Sequence, residues 1–167
     1  NDIDFLVTVN QSLADNLKKY FGIKPEPVVI RNVPVNERIE SRNYVIRQKF
    51  KIPDETKILV FIGAHIYLES LNMVQVLNEI GNKPNLAFVI ISTDDEHRKQ
   101  VENYARKKNF NNVYFHDSVP HYEITAYLSG CDAGIVPTWN KNDLSYWYAL
   151  DNKLFNYLRS EEHTSEL

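Results

Sequence analysis

Two continuous apolar runs constrain this chain more than anything else in it. Ile58-Leu59-Val60-Phe61-Ile62 and Leu86-Ala87-Phe88-Val89-Ile90-Ile91 contain no polar alternation, and each is bounded by turn signals. A strand that is apolar on both faces needs cover on both faces, which parallel sheets obtain from crossover helices. The segments between and after the runs supply such helices. Leu71, Val74, Leu77 and Ile80 share one helical face before Gly81, and Ser92-Thr93-Asp94-Asp95 offers N-caps for a helix reaching Lys108. Shorter strand candidates follow at 113–115 and 133–136, separated by a helical segment over 121–130 that carries Ile124, Tyr127 and Leu128. The fold class is α/β, a Rossmann-like parallel sheet with helices on both faces.

The front of the chain repeats the pattern on a smaller scale. A strand is expected within 4–10, a helix over 11–21 stopped by Gly22, and a second strand over 27–30 before Arg31-Asn32-Val33-Pro34. The charged segment 37–50 reads as a surface helix ended by Ile52-Pro53-Asp54, and a last helix is expected over 145–158.

The totals exclude several classes. The 167 residues carry a net charge of -3 with scattered cations, so no nucleic-acid footprint is present. One cysteine, Cys131, cannot build an internal disulfide framework. No clustered Cys, His or carboxylate spacing suggests a metal, and no run approaches the ~20 apolar residues that span a bilayer.

Ligands of open α/β sheets bind beyond the carboxyl ends of the strands, against helix N-termini. Gly63 ends the first long run, and Val136-Pro137-Thr138-Trp139 ends the last, leading to Ser145 and the final helix. Gly63 reads equally as a strand end or as a place where a phosphate approaches the backbone. Lys153 reads equally as a solvated cation or as a phosphate contact. Phe155 and Tyr157 read as packing residues, Asp117 and Asp132 as caps, and His65, His116 and His121 as ordinary histidines by default. His65 stands out because it follows the strand-ending glycine. The aromatic group Trp139, Tyr146, Trp147 and Tyr148 suits core cover or a sugar pocket.

Several stretches together resemble one family. They are the strand ending in Gly63, the run Asn112-Val113-Tyr114-Phe115-His116-Asp117-Ser118-Val119-Pro120 leading to Cys131-Asp132-Ala133-Gly134-Ile135-Val136-Pro137, and Ser145 followed by Asp151-Asn152-Lys153-Leu154-Phe155-Asn156-Tyr157. This order is similar to the nucleotide-sugar domain of GT-B glycosyltransferases of the group 1, or family four, type. Val7-Thr8-Val9-Asn10 and Val29-Ile30-Arg31-Asn32-Val33-Pro34 resemble the end of that family's N-terminal domain and the crossing to its second domain. The resemblance implies residues 1–34 as that end and linker, and 35–158 as an incomplete donor-binding domain, with most of the N-terminal domain outside this sequence. Residues 159–167 match the translation of AGA TCG GAA GAG CAC ACG TCT GAA CTC, a common sequencing adapter. They are read as read-through and set aside.

The resemblance also implies an activity. The intact protein would transfer a sugar from a UDP- or GDP-sugar to a glycan, lipid or small-molecule acceptor, with retention and without a metal or other cofactor. It would do so in the cytoplasm, with membrane-surface contact left open, and this fragment alone would be inactive. The donor-binding residues would be Gly63, Ala64, His65, Phe115, His116, Val119, Ser145, Asp151, Asn152, Lys153 and Asn156, while the acceptor-side base would belong to the N-terminal domain. Two departures stand out. Asn156 occupies the position of the family's ribose-binding glutamate, and Gly63-Ala64-His65-Ile66-Tyr67 lacks the usual arginine and lysine. A nucleotide-sugar epimerase of the same architecture and a non-catalytic, degenerate α/β binding domain are the competing expectations.

Overall fold

The computed structural model describes residues 4–31, 41–68, 73–136, 153 and 155–157. Its first unit is a parallel pair, β1 (Val7–Thr8) and β2 (Val28–Val29), joined through α1 (Gln11–Phe21). Both ends of α1 follow from local chemistry. The Asn10 side chain accepts the Leu13 amide at 2.8 Å, and Gly22 takes the left-handed conformation at φ 61° and returns its N–H to the Lys18 carbonyl. Phe5, Val7, Val28 and Ile30 remain exposed on this small pair.

The main sheet is built from β3 (Lys57–Ile62), β4 (Leu86–Ser92), β5 (Val113–Asp117) and β6 (Ala133–Gly134). All its pairings are parallel and the spatial order is β5-β4-β3-β6. The chain therefore steps outward from β3 to β4 to β5, then crosses back to the other side of β3. That reversal is a topological switch point, and it lies between β3 and β6.

The apolar runs divide by parity as a pleated strand requires. Ile58, Val60, Ile62, Ala87, Val89 and Ile91 pack on one face, under α2 (Val45–Phe50), α5 (Ile124–Leu128) and Tyr157. Phe61, Phe88 and Ile90 pack on the other, against Met73, Leu77 and Ile80 of α3 (Met73–Ile80) and Val101 of α4 (Glu96–Lys107). Most of these side chains are fully buried, each contributing about 1.5–3 kcal/mol of transfer free energy.

Several expectations need correction. The helix expected over 37–50 begins only at Val45, with 37–40 outside the described residues. Residues 42 and 43 are drawn instead onto the loop before β6: Arg42 bonds Gly130 O and Asp132, and the Asn43 amide donates to Ser129 Oγ at 3.2 Å. The Asn43 side chain then accepts the Val45 amide at 2.8 Å and starts the helix there. β1, β2 and β6 are shorter than expected, whereas β5 runs on to Asp117. Helix α5 is preceded by a 3-10 turn, His121–Glu123. Asp117 and Asp132 are not caps; both accept from cations on other elements. Of the final helix, Lys153 and residues 155–157 are described and helical.

Among the described residues two buried hydroxyls are unmatched, Thr8 Oγ1 and Ser92 Oγ. Ser92 Oγ at the end of β4 is 0% exposed and has no hydrogen-bond partner. A buried hydroxyl without a partner costs about 1–3 kcal/mol. Ser92→Ala is therefore expected to leave the urea midpoint unchanged or raise it. A loss above about 1 kcal/mol would contradict the unmatched hydroxyl.

Candidate functional site

The switch point is held open by a phenol. β3 and β6 pair through Leu59–Ala133 and Val60–Gly134, and the Ile135 amide donates to Val60 O at 2.8 Å. The next rung of a parallel ladder would join the Ile62 N–H to the Ile135 carbonyl. Instead the Tyr157 hydroxyl stands between them, accepting from Ile62 N at 3.1 Å and donating to Ile135 O at 3.2 Å. The ring reaches that position across Gly134, where a Cβ would lie 2.2 Å from the ring. The strands therefore separate at their carboxyl ends, where such sheets form a crevice.

Gly63 follows directly. Its N–H donates to Ile91 O at 3.0 Å, and Thr93 N donates to Ala64 O at 3.0 Å, so the loop backbone is tied to β4. The Gly63 amide is thereby committed to the sheet. A Cβ on Gly63 would meet Phe61 Cζ at 2.9 Å and Lys153 Cε at 3.3 Å. The glycine thus admits the Lys153 stem, whose ammonium lies 5.4 Å from the Phe61 ring centroid. Glycine and lysine, 90 positions apart by number (153 − 63), meet at one end of the sheet. Asn156, on the same helical turn, is buried.

His65 Nδ1 lies 2.7 Å from Asp95 Oδ2. Asp95 is also the N-cap of α4, its other oxygen accepting the Arg98 amide at 2.9 Å. The Arg98 amide first, and the His65 bond second, hold the Asp95 carboxyl below its usual range. From the same turn Arg98 reaches the end of β5. Its guanidinium bonds Asp117 Oδ1 and Glu102 Oε1, each at 2.8 Å, and Ser92 O at 3.3 Å. Desolvation lowers the Arg98 pKa, but Asp117 and Glu102 outweigh it and raise it. Arg98 and Asp95 were both missed as members of this corner. Asp95 carried only a capping signal, and Arg98 none.

The remaining sequence-derived candidates separate. Phe115 packs on the α3–α4 face and His116 on the opposite face, as alternation along a strand demands. His116 donates Nδ1–H to the Asp117 carbonyl at 2.7 Å and is stacked edge-on against Phe50 and Tyr127. Val119 packs against the α2–α5 face. Gly63 meets Lys153, while Ala64 and His65 are tied toward Thr93 and Asp95 beyond β4, and Phe115 and His116 lie on β5 with Val119 just after it. Ser145, Asp151 and Asn152, with Trp139, Tyr146, Trp147 and Tyr148, lie outside the described residues. Among the described residues, no three His, Cys, Asp or Glu side chains are gathered to hold a metal ion, and no helix is long and apolar enough to cross a membrane. Cys131 is inert: burial pushes its thiol up to about 12.

No protein-family model matches the sequence, and no curated protein matches it. Solved structures do. Sucrose-phosphate synthase from Thermosynechococcus elongatus superposes with a TM-score of 0.60 at 16% identity, over 81% of this chain and 35% of that one. HepE from Anabaena, in complex with UDP-glucose, superposes with a TM-score of 0.60 at 11% identity, over 82% of this chain and 40% of that one. The chain shares its fold, a Rossmann-like α/β domain of GT-B type, with the matched portions of these two proteins. The chain spans 35% and 40% of the two proteins' lengths.

Proposed function

We propose that this chain is the donor-binding half of a retaining, metal-independent glycosyltransferase. It takes a nucleoside diphosphate sugar at the β3–β6 crevice and passes the sugar to an acceptor held by a second domain. The observation that carries this reading is the meeting of Lys153 with Gly63 where the Tyr157 hydroxyl parts the strands. A cation at the ends of two parted strands suits a diphosphate, and its charge would offset the charge that accumulates on the leaving group. HepE, which shares the fold, was solved with UDP-glucose. Of the residues at the end of β5, Val119, on the same face as Tyr157, would face the base. Asn156 in the glutamate position keeps hydrogen-bonding capacity toward a ribose but no charge.

Calorimetric titration of the chain with UDP and GDP tests the reading. One of the two is expected to bind. Lys153→Ala should weaken that binding about tenfold, the size of one charge-assisted hydrogen bond. Failure of both nucleotides to bind would remove the donor-binding reading and leave a non-catalytic domain.

A further inference from the structure

Strand β5 is an edge of the main sheet, with β4 on one side and no described residue paired on the other. Its open side can be read from its closed one. Phe88 N–H donates to Asn112 O at 2.8 Å, and the register sets Phe88 opposite Val113. Alternation along a parallel ladder then turns Asn112, Tyr114 and His116 toward β4 and leaves the backbone N–H and C=O of Val113 and Phe115 pointing outward. Edge strands are ordinarily guarded by proline, lysine or a bulge. Val113-Tyr114-Phe115 has neither residue, and the pairing with β4 runs unbroken from Val113 to Asp117. Beside this edge lies a cavity of about 320 Å³, lined by Phe110, Val113 and Phe115 and by Glu102 and Arg106 of α4. Glu102 is half-buried and Arg106 exposed, one turn apart on the same helical face.

We propose that this edge is where two copies of the chain pair, β5 against β5 in antiparallel sense about a two-fold axis at Tyr114. In that register Val113 and Phe115 of each copy exchange both backbone bonds with Phe115 and Val113 of the other, so their outward groups are all matched. Their side chains share one face of the sheet, where the second copy's Phe115 extends the apolar floor of the cavity. The helices fit as well. Val101 and Tyr104 of α4 pack in one cluster with side chains of both β4 and β5, which centres the helix over the gap between those strands. Strands lie about 4.8 Å apart, so α4 stands one such spacing from the axis and its copy as far beyond it. The helices are then about 10 Å apart, close to the distance at which helices pack. They run antiparallel, so Glu102 of each faces Arg106 of the other. This self-complementarity of charge singles out a second copy as the occupant. β4 and β3 separate the edge from Gly63 and Lys153, so the dimer leaves the crevice open.

Sedimentation equilibrium of the chain at rising concentration tests the pairing. One short strand and one helix face make an interface at the small end of specific contacts, so a weak dimer, half-formed near about 100 μM, is expected. Amide exchange read by NMR should show the Val113 and Phe115 N–H groups slowing as the concentration rises, while Tyr114, already paired to β4, is slow throughout. Arg106→Glu sets glutamate against glutamate twice and should weaken the dimer about tenfold, and adding Glu102→Lys should restore it. Val113→Pro removes an outward N–H at the first residue of the strand, where proline is tolerated, and should abolish the dimer while the circular dichroism is kept. Should the proline variant unfold, the charge pair decides. A chain still monomeric at about 300 μM overturns the proposal. So does a dimer that Arg106→Glu leaves as tight as the parent, or one whose Val113 and Phe115 amides exchange no more slowly than the monomer's, since it is then built from another surface.

Discussion

Gly134→Ala is expected to destabilise the chain by about 2–5 kcal/mol, and to weaken UDP binding with it. The added Cβ would fall 2.2, 2.3 and 2.4 Å from three atoms of the Tyr157 ring. That ring is 5% exposed and rigid, so it cannot yield as the tip of a flexible side chain could. Overpacking of this kind costs about 1–3 kcal/mol. Displacing the ring also strands the Ile62 N–H and the Ile135 carbonyl, which lose their common hydroxyl partner at a further cost of about 1–3 kcal/mol. Tyr157→Phe isolates the second contribution and should cost less than Gly134→Ala. Lys153 and Asn156 share the helical turn that Tyr157 anchors, so displacing the ring moves the candidate phosphate and ribose contacts too. Urea denaturation and nucleotide titration of both variants check this. A Gly134→Ala protein with the parent's midpoint would show that the ring does not lie over the glycine.

The second large effect lies at the opposite end of the sheet. Asp132, with a side chain 17% exposed, accepts the Ile58 amide at 2.7 Å, Arg42 at 3.1 Å and Lys57 at 3.2 Å, and Arg47 stands 3.9 Å away. Burial alone would raise its pKa, but the Ile58 amide, Lys57 and Arg42 outweigh burial and lower it. Lys57 and Arg42 are themselves largely exposed and add little. The main contribution comes from the Ile58 amide, while the buried Arg47 donates instead to the Pro53 and Thr56 carbonyls. A carboxyl whose folded pKa lies below its unfolded value stabilises the protein above the unfolded value, about 3.9, and loses that contribution as pH falls through the folded one. Asp132→Ala is expected to cost about 1–3 kcal/mol near pH 7, leaving the Ile58 amide without its acceptor. The gap between parent and variant should narrow as the pH is lowered below about 4. A gap that stays constant with pH would show that the loss is packing rather than charge.

How far the sequence carries depends on the range of each signal. β3 and β4 were legible because a run without alternation has only one comfortable setting, a sheet covered on both faces. The ends of α1 and α4 were legible because Asn10, Gly22 and Asp95 act within a few residues of where they stand. The start of α2 was not, since it is decided by Arg42 and Asn43 reaching Ser129, Gly130 and Asp132, more than 80 positions ahead. The site divides in the same way. Gly63 and Lys153 were named from a family pattern, and the crevice brings them together. Phe115 and His116 were named from the same pattern as neighbours in the chain, yet pleating sends them to opposite faces. Asp95 reads as a cap in any local window. Its second oxygen finds His65 only because parallel pairing of β3 and β4 aligns the two following loops.

A hydroxyl used as a spacer has a consequence for how the crevice comes to exist. The two strands that Tyr157 separates are complete by Ile135, so a ribosome delivers the spacer only after both of the edges it must part. Until that residue emerges, the Ile62 N–H and the Ile135 carbonyl have each other as the nearest match. The nascent sheet is then free to zip one rung further than the finished one. The opening is thus a late acquisition, written into the chain after the scaffold and imposed on it by a single aromatic ring.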